Sequence, residues 1–207
     1  MFWAFVKGFG IGGSLIIAIG AQNAFLLSHA LRRQHAFTIA LVCFAVDALL
    51  ITVGVWGIGQ FVESRPALLL AITLAGAVFL LVYGWLAFNR ARYPQALVAD
   101  SGIKIMSRTT VIATTLALSL LNPHVYLDTV LLVGSIGGQM PFPNSGAFAI
   151  GAITASCVWF FSLAFAGRLL APVFSQAHHW QRLDIVIALV MWAISASLFW
   201  SFYQQLG

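Results

Sequence analysis

Residues 37–62 read FTIALVCFAVDALLITVGVWGIGQFV, and this stretch decides the fold class. It is apolar over nearly its whole length and carries a single charged side chain, Asp47. A helix needs about 20 predominantly apolar residues to cross the hydrocarbon core of a bilayer. The stretch is long enough, so it predicts a transmembrane helix.

Five further runs have the same character and predict a bundle of six transmembrane helices. They lie at 5–28, 66–89, 109–134, 147–171 and 183–203. None shows the period-two alternation of a membrane β-barrel. We therefore expect an all-α integral membrane protein, in which residues 1–207 form a single transmembrane domain.

The composition excludes most other classes of protein. Hydrophobic residues make up 61% of the chain and charged residues 7%, whereas a soluble domain is about 25% charged. The basic residues are scattered between apolar runs, so they form no nucleic-acid-binding face. No phosphate-binding loop, zinc-ligand spacing or nucleophile elbow occurs, and we expect no cofactor, no metal and no enzymatic activity.

The basic residues set the expected orientation, because cytoplasmic loops of membrane proteins are enriched in Lys and Arg. The loops after runs one, three and five (29–36, 90–108 and 168–182) are therefore expected to be cytoplasmic, with both termini outside. If the first run were re-entrant, the amino terminus would be cytoplasmic instead. These loops hold Arg32, Arg33, Arg90, Arg92, Lys104, Arg108, Arg168 and Arg182, against Lys7 and Arg65 on the opposite side.

Two carboxylates lie where lipid should exclude them. Asp47 is near the middle of the second run and Asp128 is inside the fourth, where a charge costs about 2.5–3.5 kcal/mol. No basic residue occurs at mid-span to pair with them. We interpret them as substrate-binding or proton-carrying groups; the alternative is that each only hydrogen-bonds a neighbouring helix.

Polar residues interrupt the first and fourth runs at similar depth. Gln22 and Asn23 follow Gly20 in the first run, and Asn122, Pro123 and His124 stand together in the fourth. Pro123 removes a backbone donor, and broken helices at mid-membrane are typical of transporter binding sites. A plain proline kink with amide clamps is the alternative. His124 is a candidate proton relay, or a structural histidine.

Glycine spacing and a weak internal repeat complete the pattern. Gly8/Gly12 and Gly134/Gly138 have the G-x-x-x-G spacing of closely packed helices, and such faces could also support oligomerisation. Residues 76–88 resemble 188–200, and Asn23 aligns with Asn122. We expect two half-repeats of three spans, 1–92 and 108–207, joined by a cytoplasmic loop at 93–107. An odd number of spans would give them opposite orientations.

Several short motifs resemble the LysE-type family of basic amino-acid exporters, and within it bacterial arginine exporters. The most specific is LNPHVYLDT at 121–129, and the resemblance runs almost from end to end. The family usually has proline beside the glycine before Gln-Asn, whereas Ala18 and Ala21 flank that position here. Unwinding of the first run should then depend on Gly20 and packing. The other motifs are IGAQNAF (19–25), RRQ (32–34), AVD (45–47), FLLVYG (79–84), GGQ (137–139) and ASCVWF (155–160).

The resemblance implies export of L-arginine or L-lysine across the bacterial inner membrane, driven by the membrane potential or a proton gradient. Asp47 and Asp128 would then be the counter-charges of the substrate side chain, and one of them could titrate. Gln22, Asn23 and Asn122 would bind the α-amino and carboxylate groups, with Pro123 shaping the site. Export of a neutral amino acid or another small solute is the alternative, and a membrane-embedded enzyme or assembly subunit is a third.

Overall fold

The computed structural model describes residues 1–17, 20–58, 66–92, 106–174 and 177–204, and none of these is in a strand. The helices are α1 (Phe2–Ile16), α2 (Ala21–Leu31), α3 (Ala36–Val53), α4 (Pro66–Arg92), α5 (Arg108–Leu120), α6 (Pro123–Gly138), α7 (Asn144–Leu170) and α8 (Ala177–Gln204). Helix α3 continues through a kinked turn at Gly54–Ile58, and α7 continues through a 3₁₀ turn at Ala171–Phe174.

Four stretches of the described chain are single helices long and apolar enough to cross a bilayer. Two further runs are each divided into a pair of helices: α1 and α2 are bent by 79°, and α5 and α6 by 62°. The all-α membrane architecture expected from the sequence is confirmed, with four spans, or six if each bent pair crosses as one. The four are Ala36–Gly57, Leu70–Arg92, Asn144–Leu170 and His178–Gln204.

The outer faces of these helices carry large apolar side chains that have no cover within the chain. A soluble protein rarely exposes such extended apolar surface, whereas lipid tails solvate it at no cost. The bundle is therefore built to be surrounded by a bilayer. Examples more than half exposed are Leu41, Leu49, Val82, Trp85, Ile150, Phe165, Leu169, Leu189 and Trp200.

Gly20 lies just before the second helix of the first bent pair, and Pro123 is the first residue of the second helix of the other pair. Gly20 has an extended backbone (φ −110°, ψ 171°), so this break forms at a glycine and without a proline. Asn122 is also extended (φ −95°, ψ 108°), as expected for a residue that precedes proline. The structure thus contains a break at both polar interruptions of the sequence.

The α5–α6 break is stabilised by two side chains that replace lost backbone hydrogen bonds. The backbone N–H of His124 donates to Asn122 Oδ1 at 3.2 Å, so it is not available to the carbonyl of Leu120. The hydroxyl of Tyr126 donates to that carbonyl at 2.8 Å. In a bilayer such groups must find partners within the protein, and here Tyr126 and Asn122 supply them.

Helices α1 and α2 follow α7 along its length. Close to the amino-terminal end of α7, Gly8 packs against the backbone of Phe148, and Gly12 against Ala152. Close to its carboxyl-terminal end, Gly167 contacts the side chain of Ala30. Small residues allow this close approach of helices, so the G-x-x-x-G spacing of α1 serves packing within the chain.

Helices α5 and α6 follow α3 in the same way. His35 Nε2 is 3.1 Å from the carbonyl oxygen of Met106, at the start of α3 and just before α5. At the other end of α3, Gly54 packs against the backbones of Val130 and Gly134. The glycines of the second G-x-x-x-G spacing therefore also pack against a helix of the same chain. Oligomerisation through either glycine face stays a prediction.

Helices α4 and α8 pack against each other as an antiparallel pair. Ser195 Oγ donates to the carbonyl of Ala77 at 2.7 Å, and Trp192 Nε1 to the carbonyl of Leu81 at 3.2 Å. These helices contain the segments 76–88 and 188–200 that resemble each other in sequence. The loop expected at 93–107 lies mostly outside the described residues, as do Arg65 and Lys104.

Replacing Gly8 with alanine tests the packing of α1 on α7. A Cβ at this position would overlap the backbone of Phe148, and overpacking of this kind costs about 1–3 kcal/mol. We expect Gly8→Ala to lower the thermal denaturation midpoint of the detergent-solubilised protein. Gly10→Ala is the matched control, since nothing lies within 4 Å of its Cβ. Equal midpoints for the two variants would contradict this packing.

Candidate functional site

A cavity of about 460 Å³ lies where the two helix breaks meet α3 and α8. Its volume is in the range of small-molecule sites, about 300–1,000 Å³. Six of the seven site residues expected from the sequence line it, although they come from four separate helices or breaks. They are Gln22, Asn23, Asp47, Asn122, His124 and Asp128.

Asp47 projects from α3 and is 4% exposed. Ser156 on α7 donates a hydrogen bond to its Oδ2 at 2.9 Å. No Lys or Arg of the described residues forms an ion pair with it. A buried carboxylate with one neutral partner retains strong attraction for a cation, since its charge is poorly screened by the surroundings.

Asp128 is half-buried on a π-helical segment of α6, Tyr126–Val133. No hydrogen bond or ion pair joins its carboxylate to another residue in the part of the chain that the structure describes. π-helical turns are rare and are frequent at functional sites. The cavity therefore offers a second carboxylate whose oxygens are open to a ligand.

The two amides of α2 connect the cavity wall to neighbouring helices. Gln22 Nε2 donates to Ser119 Oγ at 2.7 Å, which joins the first break to the second. Asn23 Nδ2 donates to the carbonyl of Ile16 at 3.0 Å, and its Oδ1 accepts from Trp159 Nε1 at 3.2 Å. Both residues thus act as clamps between segments while also lining the cavity.

Pro123 and His124 differ in their relation to the cavity. Pro123 is buried and does not line it, so its contribution is to the course of the backbone. His124 is exposed and lines the cavity. The remaining wall is formed by apolar side chains and by the hydroxyls of Thr129 and Ser197.

The cavity wall carries acidic side chains without basic ones to balance them. Two carboxyl groups line it, and no Lys or Arg does so among the described residues. The arrangement favours a positively charged ligand of small size, with amides and hydroxyls available for its other polar groups. These properties fit the binding site of a transporter for a small cation.

Comparison with known proteins identifies the family of the chain. The family model of the LysE type translocator matches residues 13–201. The chain belongs to this family.

This LysE translocator is also similar to three proteins named arginine exporter protein ArgO. Those of Shigella flexneri and Escherichia coli (strain K12) are each 39% identical over 198 residues, or 96% of this chain and 94% of the relative. That of Serratia proteamaculans (strain 568) is 38% identical over 200 residues, or 97% and 98%. No solved structure matches the chain.

Family membership confirms three expectations from the sequence. The protein is a transporter and not an enzyme, its substrate is a small molecule, and it is a multi-pass protein of the inner membrane. The resemblance seen in the short motifs is likewise confirmed.

Sequence reasoning missed several residues that support the site. Ser119 and Trp159 hold the two amides, and nothing in their own neighbourhood indicates that role. Ser156 is the hydrogen-bond partner of Asp47, and no local pattern indicates a contact between residues 109 positions apart. Asp184, a buried carboxylate on α8, was missed because it lies beside Arg182 at the edge of an apolar run.

Removing the Tyr126 hydroxyl tests the α5–α6 break. In Tyr126→Phe the carbonyl of Leu120 loses its donor, and an unsatisfied buried carbonyl costs about 1–3 kcal/mol. We expect a lower free energy of unfolding in detergent. Tyr203→Phe makes the same change at a residue that is 71% exposed and should have no effect. Unfolding curves that coincide for both variants would refute the role of Tyr126.

Proposed function

We propose that this LysE translocator exports L-arginine from the cytoplasm, with L-lysine as a second substrate. The observation that carries the proposal is the cavity lined by Asp47 and Asp128 without a Lys or Arg among the described residues. A guanidinium is a permanent cation that pairs with carboxylates in bidentate geometry. The printed names of the relatives support the same substrate.

In this proposal the substrate side chain lies between the two carboxylates. Asp128 offers carboxylate oxygens that have no partner among the described residues, and Asp47 adds a carboxylate held in place by Ser156. A lysine ammonium can use the same charges but not the bidentate geometry. The arrangement therefore supports arginine ahead of lysine.

The α-carboxylate and α-amino groups of the substrate are assigned to the helix breaks. Helix α2 begins at the cavity without a side-chain cap, and helix amino termini attract anions through their free N–H groups. The side chains of Gln22 and Asn23 lie at this terminus, and Asn122, which caps α6, lines the same cavity. They are placed to orient an amino acid rather than any small cation.

Each bent helix pair is proposed to cross the membrane as one broken span, which gives six spans. The contacts of α1–α2 run from one end of the 27-residue helix α7 to the other, and α5–α6 accompany α3 in the same manner. A two-fold axis relating 1–92 to 108–207 would exchange these two assemblies and map α4 onto α8. The pattern supports an inverted repeat joined through 93–107.

Export by alternating access with proton exchange is the proposed mechanism. Moving one positive charge out against an inside-negative potential costs about 2.3 kcal/mol per 100 mV. Inward movement of one proton for each arginine cancels that charge. Asp47, Asp128 and His124 are the titratable residues of the cavity wall, and each is a candidate proton carrier.

Arginine efflux from cells lacking their own exporter tests the function and the site together. We expect the wild-type chain to confer resistance to canavanine, a toxic arginine analogue, and to restore efflux. Asp47→Asn and Asp128→Asn should abolish both, because each removes a counter-charge of the substrate, while the protein still inserts in the membrane. Asp100→Asn, outside the apolar runs, is the matched control.

Two different failures can be told apart in that experiment. If the wild-type chain gives no resistance and exports a neutral amino acid or another solute, the alternative function is correct. If it exports arginine and both cavity variants do so at the normal rate, the function stands and the site is wrong.

Labelling of single cysteines tests the six-span arrangement. With Cys43 and Cys157 replaced by alanine, we expect a membrane-impermeant maleimide to label Trp3→Cys in spheroplasts and Arg33→Cys in inside-out vesicles. Both positions are exposed, and the bent pair between them should separate them by the bilayer. Labelling of both positions from the same side would show that α1 and α2 do not cross together.

A further inference from the structure

Three charged residues form an ion-pair cluster at the end of the bundle that carries the basic loops. Arg32 Nη2 donates to Asp184 Oδ1 at 2.9 Å and to Oδ2 at 2.8 Å. Arg90 Nε donates to Asp184 Oδ1 at 3.4 Å. The side chain of Asp184 is 6% exposed, so its charge is buried under two guanidinium groups.

Aromatic rings complete the surroundings of these guanidinium groups. The Arg32 guanidinium carbon is 4.9 Å from the centroid of the buried Trp180 ring, and that of Arg90 is 5.8 Å from Tyr83. A buried carboxylate beside an aromatic face is the chemistry that recognises a guanidinium. The structure therefore contains a guanidinium-binding site that is filled by an arginine of the chain itself.

The cluster joins α2 and α8 at the basic end of the bundle, and both helices also line the cavity. Arg32 follows α2 and Arg90 lies in the last turn of α4, in the first half of the chain, whereas Asp184 lies on α8 in the second half. Below it, the buried side chains of Phe25 and Tyr83 pack with their rings 5.7 Å apart. Because basic loops face the cytoplasm, an exporter must open this end to load its substrate.

We propose that Asp184 is the first docking site for the substrate, and that the substrate's guanidinium opens the cytoplasmic side by taking the place of Arg32. The inference rests on the proposed export of arginine. Exchange of one guanidinium for another keeps both oxygens of the buried carboxylate paired throughout, whereas simple rupture would leave it with only the longer contact to Arg90 among the described residues, which is costly for a buried charge. Arg32 is thus an internal competitor of the substrate.

The two partners of this ion pair should therefore have opposite effects on the KM for arginine. Removing the competitor in Arg32→Gln should lower the KM by about 3- to 10-fold, and Arg90 still lies beside Asp184. Removing the docking group in Asp184→Asn should raise the KM by about 10-fold or more. If the ion pair only held the helices together, the KM would change in the same direction in both variants.

Uptake of labelled arginine into inside-out vesicles measures these values, since the cytoplasmic face is then outermost. Arg33→Gln is the matched control: it removes the same charge from the neighbouring, exposed position and should leave the KM unchanged. If the KM shifts in the same direction in Arg32→Gln and Asp184→Asn, the inference is overturned. It is also overturned if the KM is unchanged in both variants.

The remaining outcomes also decide the matter. If Asp184→Asn does not fold, Arg32→Gln is judged alone against Arg33→Gln, and an unchanged or raised KM overturns the inference. If the wild-type vesicles take up no arginine, the proposed function fails and this inference fails with it. If the wild-type vesicles take up arginine normally but the variants do not show the expected KM shifts, this inference fails and the proposed function stands.

Discussion

The burial of the Asp47 carboxylate in an apolar bundle is the constraint on which the structure depends. A charge in this position is costly, and Ser156 satisfies only part of its hydrogen-bonding capacity. The helix breaks on either side bring amides, a histidine and a second carboxylate to the same depth. The polar cavity thus makes the burial of Asp47 tolerable, and among the described residues no Lys or Arg of its wall balances the two carboxyl groups.

Small residues make the breaks compatible with a bilayer. Gly8, Gly12 and Gly54 let neighbouring helices approach to backbone contact. The two bent pairs are therefore held in place by packing against α7 and α3, and not by an unbroken hydrogen-bond pattern of their own. Backbone groups freed at the breaks are taken by Asn122, Tyr126 and Asn23. Packing and hydrogen bonding therefore act together at the two breaks.

Much of this could be predicted from local sequence. The apolar runs gave the membrane class, and the isolated polar residues Gln22, Asn23, Asp47, Asn122, His124 and Asp128 line one cavity. Partners distant in sequence could not be predicted, since Gln22 contacts Ser119 and Asp47 contacts Ser156 only because of the packing of α2, α3, α5 and α7. The π-helical turns around Asp128 carry no recognised sequence signal. Asp184 was missed because a carboxylate beside Arg182 resembles an ordinary loop residue.

The proposed function requires a cationic amino acid to bind in this cavity with its side chain on the two carboxylates. An experimental structure of the purified protein with L-arginine bound would show whether it does so. We expect the guanidinium within hydrogen-bonding distance of Asp47 or Asp128, and the α-carboxylate at the amino terminus of α2. Arginine bound elsewhere in the molecule, with both carboxylates free of it, would rule out this binding site.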